Sequence, residues 1–266
     1  MLSYTRLAHD ANVAAIAVHP GDALAIDPAE FDVDDTVAEV GPTELPAGPD
    51  AGLFLHDVLE VADLAQARAS ADVDDWVSDP AVQSLLDDKA RGRGIASLYV
   101  PHGAQILHRT LTAPLALVDG GELPALVDAA AIAREVEFGY PIPDPISGPI
   151  ADAPRGLVKG FIDVMVAWDD DLWVLDYKSD ALVGDDLNAA AQRRVRERYA
   201  VQARLYAIAA DRMRGRRRLA GLLFAFVRHG ITVPVRVGDD TLAGWIAWLA
   251  QISQAAEVMN PAERKA

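Results

Sequence analysis

The amino-acid sequence predicts an α/β fold in which a β-hairpin is preceded and followed by helices. Two apolar runs rich in β-branched and aromatic residues, 160–168 and 171–178, flank a short acidic tip, as in a hairpin. A helical stripe of apolar residues at 55–62 precedes the hairpin, and a longer helical pattern at 187–213 follows it. This order of strands and helices is typical of an α/β protein.

The composition excludes several classes of protein. The 266 residues are enough for one large domain or two small ones. The absence of cysteine excludes disulfides, thiolate catalysis and cysteine-ligated zinc or iron–sulfur clusters. No apolar run approaches the length of a membrane span, and the N-terminus has no signal-peptide core. We therefore expect a soluble, cytoplasmic protein.

The net charge of −16 is spread unevenly along the chain. Residues 27–88 contain seventeen acidic side chains against one arginine, whereas residues 193–218 contain ten arginines against two acidic side chains. The arginine segment has either of two roles: it presents a local phosphate-binding stripe, or it is a solvated helix face that pairs with the acidic half.

The first half of the chain is predicted to be mainly helical. A helix is expected at 4–18, and a proline-rich extended segment is expected up to residue 50. The apolar stripe then starts a helix with Asp50 as its N-cap, and His56 lies next to that stripe. Short helices at 73–76 and 82–89 follow, and then a strand pair at 95–100 and 106–111 is expected.

The second half is predicted to carry the sheet. Residues 134–142 alternate like a strand, and a proline-rich linker at 143–149 leads into the hairpin. Glu135 and Glu137 share one face of that strand, facing solvent or approaching a site. After the helix at 187–213 come strands at 219–227 and 232–237, the second an edge strand because it contains Pro234, and a helix at 241–258.

The hairpin register predicts a cluster of ionisable side chains. If Asp169 and Asp170 form the loop, Asp163 lies opposite Asp176. Lys178 shares the face of Asp176, because side chains alternate with period two, and the intervening Tyr177 points away.

Two carboxylates and a lysine in apolar surroundings are costly to bury without compensation. A divalent cation between the two acids would offset their repulsion. The alternative is an exposed hairpin, in which the aspartate–lysine pair contributes almost nothing to stability.

Five short motifs, taken together, resemble a known family. In chain order they are Gly52-x3-His56, Glu135-x-Glu137-Phe138, Gly160-Phe161-Ile162-Asp163, Asp176-Tyr177-Lys178-Ser179 and Gln202-x3-Tyr206. This set resembles the RecB-type nuclease domain of the PD-(D/E)xK superfamily over about residues 40–255. The resemblance implies a restriction-endonuclease-like core, with a central mixed β-sheet flanked by helices and an N-terminal helical part. It also implies one nuclease domain over 1–266, divided into a wrapping segment (1–50), a helical part carrying His56 (51–134) and a nuclease core (135–258).

The resemblance further implies an enzyme that cuts DNA phosphodiester bonds with magnesium, or with manganese. The implied metal ligands are His56, Asp163, Asp176 and the backbone carbonyl of Tyr177. Lys178 would orient or activate the attacking water, so the implied catalytic residues are Lys178, Asp163 and Asp176. Gln202 and Tyr206 would hold DNA or the active-site helix.

The expected partners are DNA and the helicase subunits of a RecBCD-like or AddAB-like complex. The sequence contains no G-x-x-x-x-G-K-[ST] phosphate loop, so a DNA motor would come from elsewhere. The leading expectation is an exonuclease that acts in double-strand break repair and recombination. Two alternatives remain: a docking module with little activity of its own, and a stand-alone endonuclease of the restriction or CRISPR-associated type.

Overall fold

The structure is a computed structural model that describes residues 2–3, 23–26, 41–142 and 157–259. The helix expected at 4–18 and the linker expected at 143–149 lie outside the described residues.

The helices of the described residues fall into two groups, one before the hairpin and one after it. The first group is α1 (Pro49–Val61), α2 (Leu64–Ala69), α3 (Val73–Ser78), α4 (Pro80–Gly92) and α5 (Val100–Thr112). The second group is α6 (Leu187–Arg194), α7 (Ala200–Met213) and α8 (Asp239–Met259). A π-helical turn, Val195–Tyr199, joins α6 to α7. Short 3-10 turns lie at Ser97–Tyr99 and Leu126–Asp128.

The main sheet joins seven strands of the described residues. They are β1 (Leu2–Ser3), β2 (Ala23–Ile26), β5 (Ala131–Pro141), β6 (Leu157–Trp168), β7 (Asp171–Lys178), β8 (Arg218–Phe226) and β9 (Ile231–Arg236). Two further strands, β3 (Leu115–Ala116) and β4 (Glu122–Leu123), pair separately.

The main sheet is mixed, as the resemblance implies. Its order is β1-β2-β6-β7-β8-β9, and β5 pairs with β6 outside this path. The pairs β1–β2, β2–β6 and β7–β8 are parallel, and β5–β6, β6–β7 and β8–β9 are antiparallel. Strand β9, which contains Pro234, lies at the edge as predicted.

Two helical layers cover the two faces of this sheet. The N-terminal layer is formed by α1 to α5, and the C-terminal layer by α6 to α8. Each layer packs its apolar side chains against one face of the sheet in a separate buried cluster. The sheet therefore has an apolar core on both sides, which explains why β6 from Ile162 onward and β7 after Asp171 are continuously buried.

At one point of the β5–β6 ladder, the side chains of the strand exchange faces of the sheet. Ile162 contacts the C-terminal layer, whereas Val164, two residues further along β6, contacts the N-terminal layer. At the same level of β5, Glu135 has a φ of 50° and is not paired with Asp163, although the pairs on both sides keep one register. Side chains alternate strictly in a regular strand, so this interruption marks the place where the strands exchange faces. Asp163 therefore lies at the boundary between the two cores.

Two local expectations are wrong. Asp50 lies in the first turn of α1 instead of capping it; the N-cap is Gly48, and Pro49 begins the helix because its fixed φ suits that position. The expected strand pair at 95–100 and 106–111 is a 3-10 turn followed by α5, with Pro101 in the first helical turn. None of the described helices is long and apolar enough to cross a membrane.

Candidate active site

The site lies where the β6–β7 hairpin opens. The two strands pair from Trp168–Asp171 to Val164–Leu175, around a two-residue turn at Asp169 and Asp170. Each pair of partner numbers has the same sum, so the predicted register is confirmed.

Asp163 and Asp176 are the next residues in that register, but there the ladder stops. The N–H of Tyr177 donates instead to Oδ2 of Asp163, at 2.8 Å. Beyond this point β6 pairs with β2 on the side that β7 has left. The two aspartates therefore lie where β6 and β7 diverge, at Asp163 and Asp176, and we call this place the fork. Here the carboxylate of Asp163 accepts the N–H of Tyr177 in place of a backbone carbonyl.

The N-terminal layer contributes His56 to this fork. His56 lies on α1, whose apolar side Leu55, Val58 and Leu59 is fully buried against the sheet. Its Nδ1 is 3.6 Å from Oδ2 of Asp163, and its ring meets the Tyr177 ring edge-on with centroids 5.8 Å apart. The packing of α1 therefore sets the position of the imidazole.

The C-terminal side of the fork holds Asp176. Its Oδ2 is 2.7 Å from Nζ of Lys178, and its Oδ1 accepts a hydrogen bond from Nε2 of Gln202 at 2.8 Å. Asp176 and Lys178 are each only 1% exposed. Both face the C-terminal layer, while Tyr177 packs with the N-terminal layer, as the strand period predicts.

The surroundings of Asp163 disfavour the ionised form of its carboxyl group. Burial raises the pKa of Asp163 and the charge of Asp176 raises it further, while His56, Lys178 and the Tyr177 N–H partly oppose these effects. Ionising both buried carboxyl groups at once is therefore costly in this site.

Gln202 and Tyr206 lie behind the carboxylates on α7, and both are 0% exposed. Burial raises the pKa of Tyr206, and the charges of Asp176 and Asp163 add to that effect. The Tyr206 ring meets the Phe138 ring edge-on at 5.7 Å. Of the two roles implied for these residues, support of the active-site helix matches this burial better than direct contact with DNA.

The pattern of the PD-(D/E)XK nuclease superfamily matches residues 33–265. The chain belongs to this superfamily. Over 195 residues, 64% of its length, it is 27% identical to the RecBCD enzyme subunit RecB of Escherichia coli (strain K12). Over 97 residues, 36% of its length, it is 32% identical to an ATP-dependent helicase/nuclease subunit from Listeria monocytogenes serotype 4b (strain F2365). The resemblance inferred from the motifs is thereby confirmed, and so is the α/β nuclease fold.

The chain corresponds to a small part of each of these relatives. The matched segments cover 15% of RecB and 8% of the Listeria protein.

The donor groups at the fork are chemically suited to a divalent cation. Two carboxylates and one imidazole suit magnesium or manganese, and a cation would favour the ionised form of Asp163, whose pKa is raised by burial and by the charge of Asp176. As the side chains stand, no group of three or more His, Asp or Glu residues in the described part of the chain is arranged to hold an ion. One oxygen of Asp176 is instead paired with Lys178.

Three neighbouring residues were not assigned a role from the sequence. The hydroxyl of Tyr199 donates to Oδ2 of Asp180 at 2.8 Å, and Nη1 of Arg194 contacts Oδ1 of the same carboxylate at 2.9 Å. Tyr199 shares a helical face with Gln202 and Tyr206, and that spacing was the one available signal. Asp180 lies in irregular chain after β7, so no periodicity could have linked it to α6.

Proposed function

We propose that this protein is a divalent-metal-dependent deoxyribonuclease that hydrolyses phosphodiester bonds, acting as an exonuclease on DNA ends within a helicase–nuclease assembly. The observation that carries the proposal is the convergence of Asp163, Asp176 and Lys178 with His56 at the open end of the β6–β7 hairpin. Membership of a nuclease superfamily supports it.

In the proposed reaction, the residues that would hold magnesium or manganese are Asp163, Asp176, His56 and, through its carbonyl, Tyr177. When bound, the metal supplies Lewis acidity toward the phosphate and the attacking water. Lys178 holds that water, or stabilises charge that develops on the phosphate, because its ammonium is anchored beside Asp176. Gln202 orients Asp176 by its hydrogen bond, and buried Tyr206 packs behind the pair.

The names of the matched relatives support a role beside a helicase, since one is part of the RecBCD enzyme and the other is part of an ATP-dependent helicase/nuclease. In our proposal the motor belongs to another polypeptide or to another part of a longer one. The net charge of −16 favours delivery of DNA by such a partner over tight autonomous binding.

The first test is cleavage of end-labelled linear DNA, single-stranded and duplex, with magnesium or with EDTA. We expect degradation with magnesium, no degradation with EDTA, and a loss of at least about a hundredfold in Lys178→Ala. Lys89→Ala, in α4 of the N-terminal layer, is the matched control and should cut like the unaltered protein.

Covalently closed circular DNA distinguishes the alternatives. An exonuclease leaves it intact, whereas cutting of the circle would indicate a stand-alone endonuclease. Full activity of Lys178→Ala would contradict the assigned mechanism. Failure of calorimetry to detect magnesium or manganese binding, together with no cleavage, would favour a docking module.

A further inference from the structure

The contacts of Lys178 include a carboxylate and an aromatic ring. Its Nζ is 2.7 Å from Oδ2 of Asp176 and 4.3 Å from the centroid of the Tyr199 ring. An ammonium over an aromatic face is attracted by the ring quadrupole, and the attraction is larger when both groups are desolvated. Tyr199 is 0% exposed, so this contact lies inside the protein.

The Tyr199 ring is itself held on two sides. It stacks on Phe224 with centroids 5.6 Å apart and an interplanar angle of 13°. Its hydroxyl donates to Asp180, and the other oxygen of that buried carboxylate contacts Arg194. Asp180 is 2% exposed, and a buried carboxylate with both oxygens engaged is a rigid acceptor. The ring therefore has little freedom to move away from Lys178.

The π-helical turn explains how Arg194 and Tyr199 reach one carboxylate. In a regular α-helix, residues five apart point about 140° away from each other, because each residue turns the chain by about 100°. A π-turn bonds each residue to the fifth one along, so residues five apart lie on the same side. The turn Val195–Tyr199 covers this interval, and both side chains contact Asp180.

We propose that Tyr199, held by Asp180 and Arg194, is a positioning residue that keeps the Lys178 ammonium in its working place. This inference rests on the proposed nuclease function. Asp176 serves two partners in that function, since it pairs with Lys178 here and is also a proposed metal ligand. The Tyr199 ring attracts the ammonium of Lys178 and leaves the oxygens of Asp176 available to a cation. The ring would therefore keep the ammonium in place when Asp176 binds that cation.

The kinetic test compares Tyr199→Leu, Tyr199→Phe and Tyr140→Leu in the full chain. Tyr199→Leu removes the ring, and we expect kcat to fall about tenfold with KM changed less than about twofold. Tyr199→Phe keeps the ring and loses the bond to Asp180, so it should restore most of kcat. Asp180→Asn, which keeps the shape of the acceptor, should resemble Tyr199→Phe.

Tyr140→Leu is the matched control. Tyr140 is also a buried tyrosine of the same core, with its hydroxyl bonded to the carbonyl of Leu205 and a cation, Arg212, over its ring. A general packing defect lowers stability in both leucine variants, but only Tyr199→Leu should lower kcat. Equal losses of kcat in the two variants would overturn the proposal.

A second readout does not depend on activity. The chain contains four lysines, so selective ¹³C labelling gives few signals, and Lys178→Ala identifies the one of interest. We expect the Lys178 side-chain protons to be shifted upfield by the Tyr199 ring, in Tyr199→Phe as well, and to lose this shift in Tyr199→Leu. An unshifted Lys178 signal in the unaltered protein would overturn the positioning role. A protein that shows the shift but cuts no DNA would overturn the proposed function alone.

Discussion

At Asp163, the needs of folding conflict with those of the proposed chemistry. It is 4% exposed and lies beside a second buried carboxylate, and its pKa is raised by burial and by Asp176. The Tyr177 N–H and the nearby His56 compensate only part of this cost. Residues that are unfavourable for stability in this way are typical of functional sites.

Replacing Asp163 by asparagine should therefore stabilise the metal-free protein while abolishing DNA cleavage. The amide oxygen can still accept the Tyr177 N–H, and the repulsion from Asp176 disappears. We expect the free energy of unfolding in EDTA to rise by about 1 kcal/mol. Urea denaturation measures this free energy, and Asp87→Asn, at an exposed position, is the control.

The same change has a defined pH dependence. A carboxyl whose pKa is raised in the folded state binds more protons there than in the unfolded chain, so it lowers stability as pH rises above its ordinary range. The advantage of Asp163→Asn should therefore grow between pH 5 and pH 8. A destabilised variant at pH 8 would contradict the repulsion assigned to this pair.

At the scale of single elements, β8 shows how a sheet accommodates an irregularity. Its pairing with β7 shifts register between Leu172 and Trp173, and Gly221 lies just beyond with a φ of 151°. A Cβ at this glycine would collide with the carbonyl oxygen of Val235 and lie 2.9 Å from Cα of Arg236. The glycine therefore allows β9 to approach β8 closely.

Gly221→Ala should destabilise the protein by about 3 kcal/mol, because it combines an unfavourable φ with a backbone collision. Gly139→Ala, in β5, is the control: a Cβ there meets nothing within 4 Å. Thermal unfolding of the two variants distinguishes the cases, and equal melting temperatures would show that β9 moves away without cost.

The β6–β7 hairpin could be predicted from the sequence, whereas helix α5 could not. The hairpin register followed from period-two alternation, which is confirmed from Trp168–Asp171 to Val164–Leu175 and puts Asp176 and Lys178 on one face. The strand pair expected at 95–100 and 106–111 was wrong for a physical reason. Pro101 lies in the first turn of α5, where its fixed φ suits a helix, and Gly103 makes room for Phe54, which lies 2.7 Å from where its Cβ would be.

The parts of the site that escaped prediction depend on irregular backbone. No sequence pattern marks the π-turn that brings Arg194 and Tyr199 to one side. Likewise, nothing in the sequence indicates that the β5–β6 pairing is interrupted at Glu135. His56 was assigned through the resemblance alone, because only tertiary packing brings α1 to the hairpin.

At the scale of the whole molecule, Arg228 connects segments far apart in the chain. Its guanidinium donates to the carbonyls of Ser179, Leu45 and Pro46, each at 2.7 to 2.8 Å. Burial lowers its pKa, and the three carbonyls compensate the loss of water. Arg228 thus ties the chain before α1 to the segment that follows Lys178.

Arg228→Lys should lower the free energy of unfolding by about 2 kcal/mol despite conserving the charge, since an ammonium cannot span three fixed carbonyls. Arg216→Lys, at an exposed position, should leave it unchanged. Denaturant unfolding of both variants provides the measurement, and equal midpoints would show that the three bonds add nothing.

The division into a wrapping segment (1–50), a helical part (51–134) and a nuclease core (135–258) stays a prediction. The described residues show that the helices before residue 113 share a buried cluster with β6, β7 and β8. Those helices and the sheet therefore bury apolar surface together.

The fork between β6 and β7 receives side chains from both layers, among them His56 from the N-terminal layer and Gln202 from the C-terminal layer. A newly made chain completes this set only after both layers have docked on the sheet. If the site cleaves DNA as proposed, a partly folded molecule in which one layer has not docked lacks part of this set and should cut DNA less well. Completion of the fold would then be the step that makes the protein active.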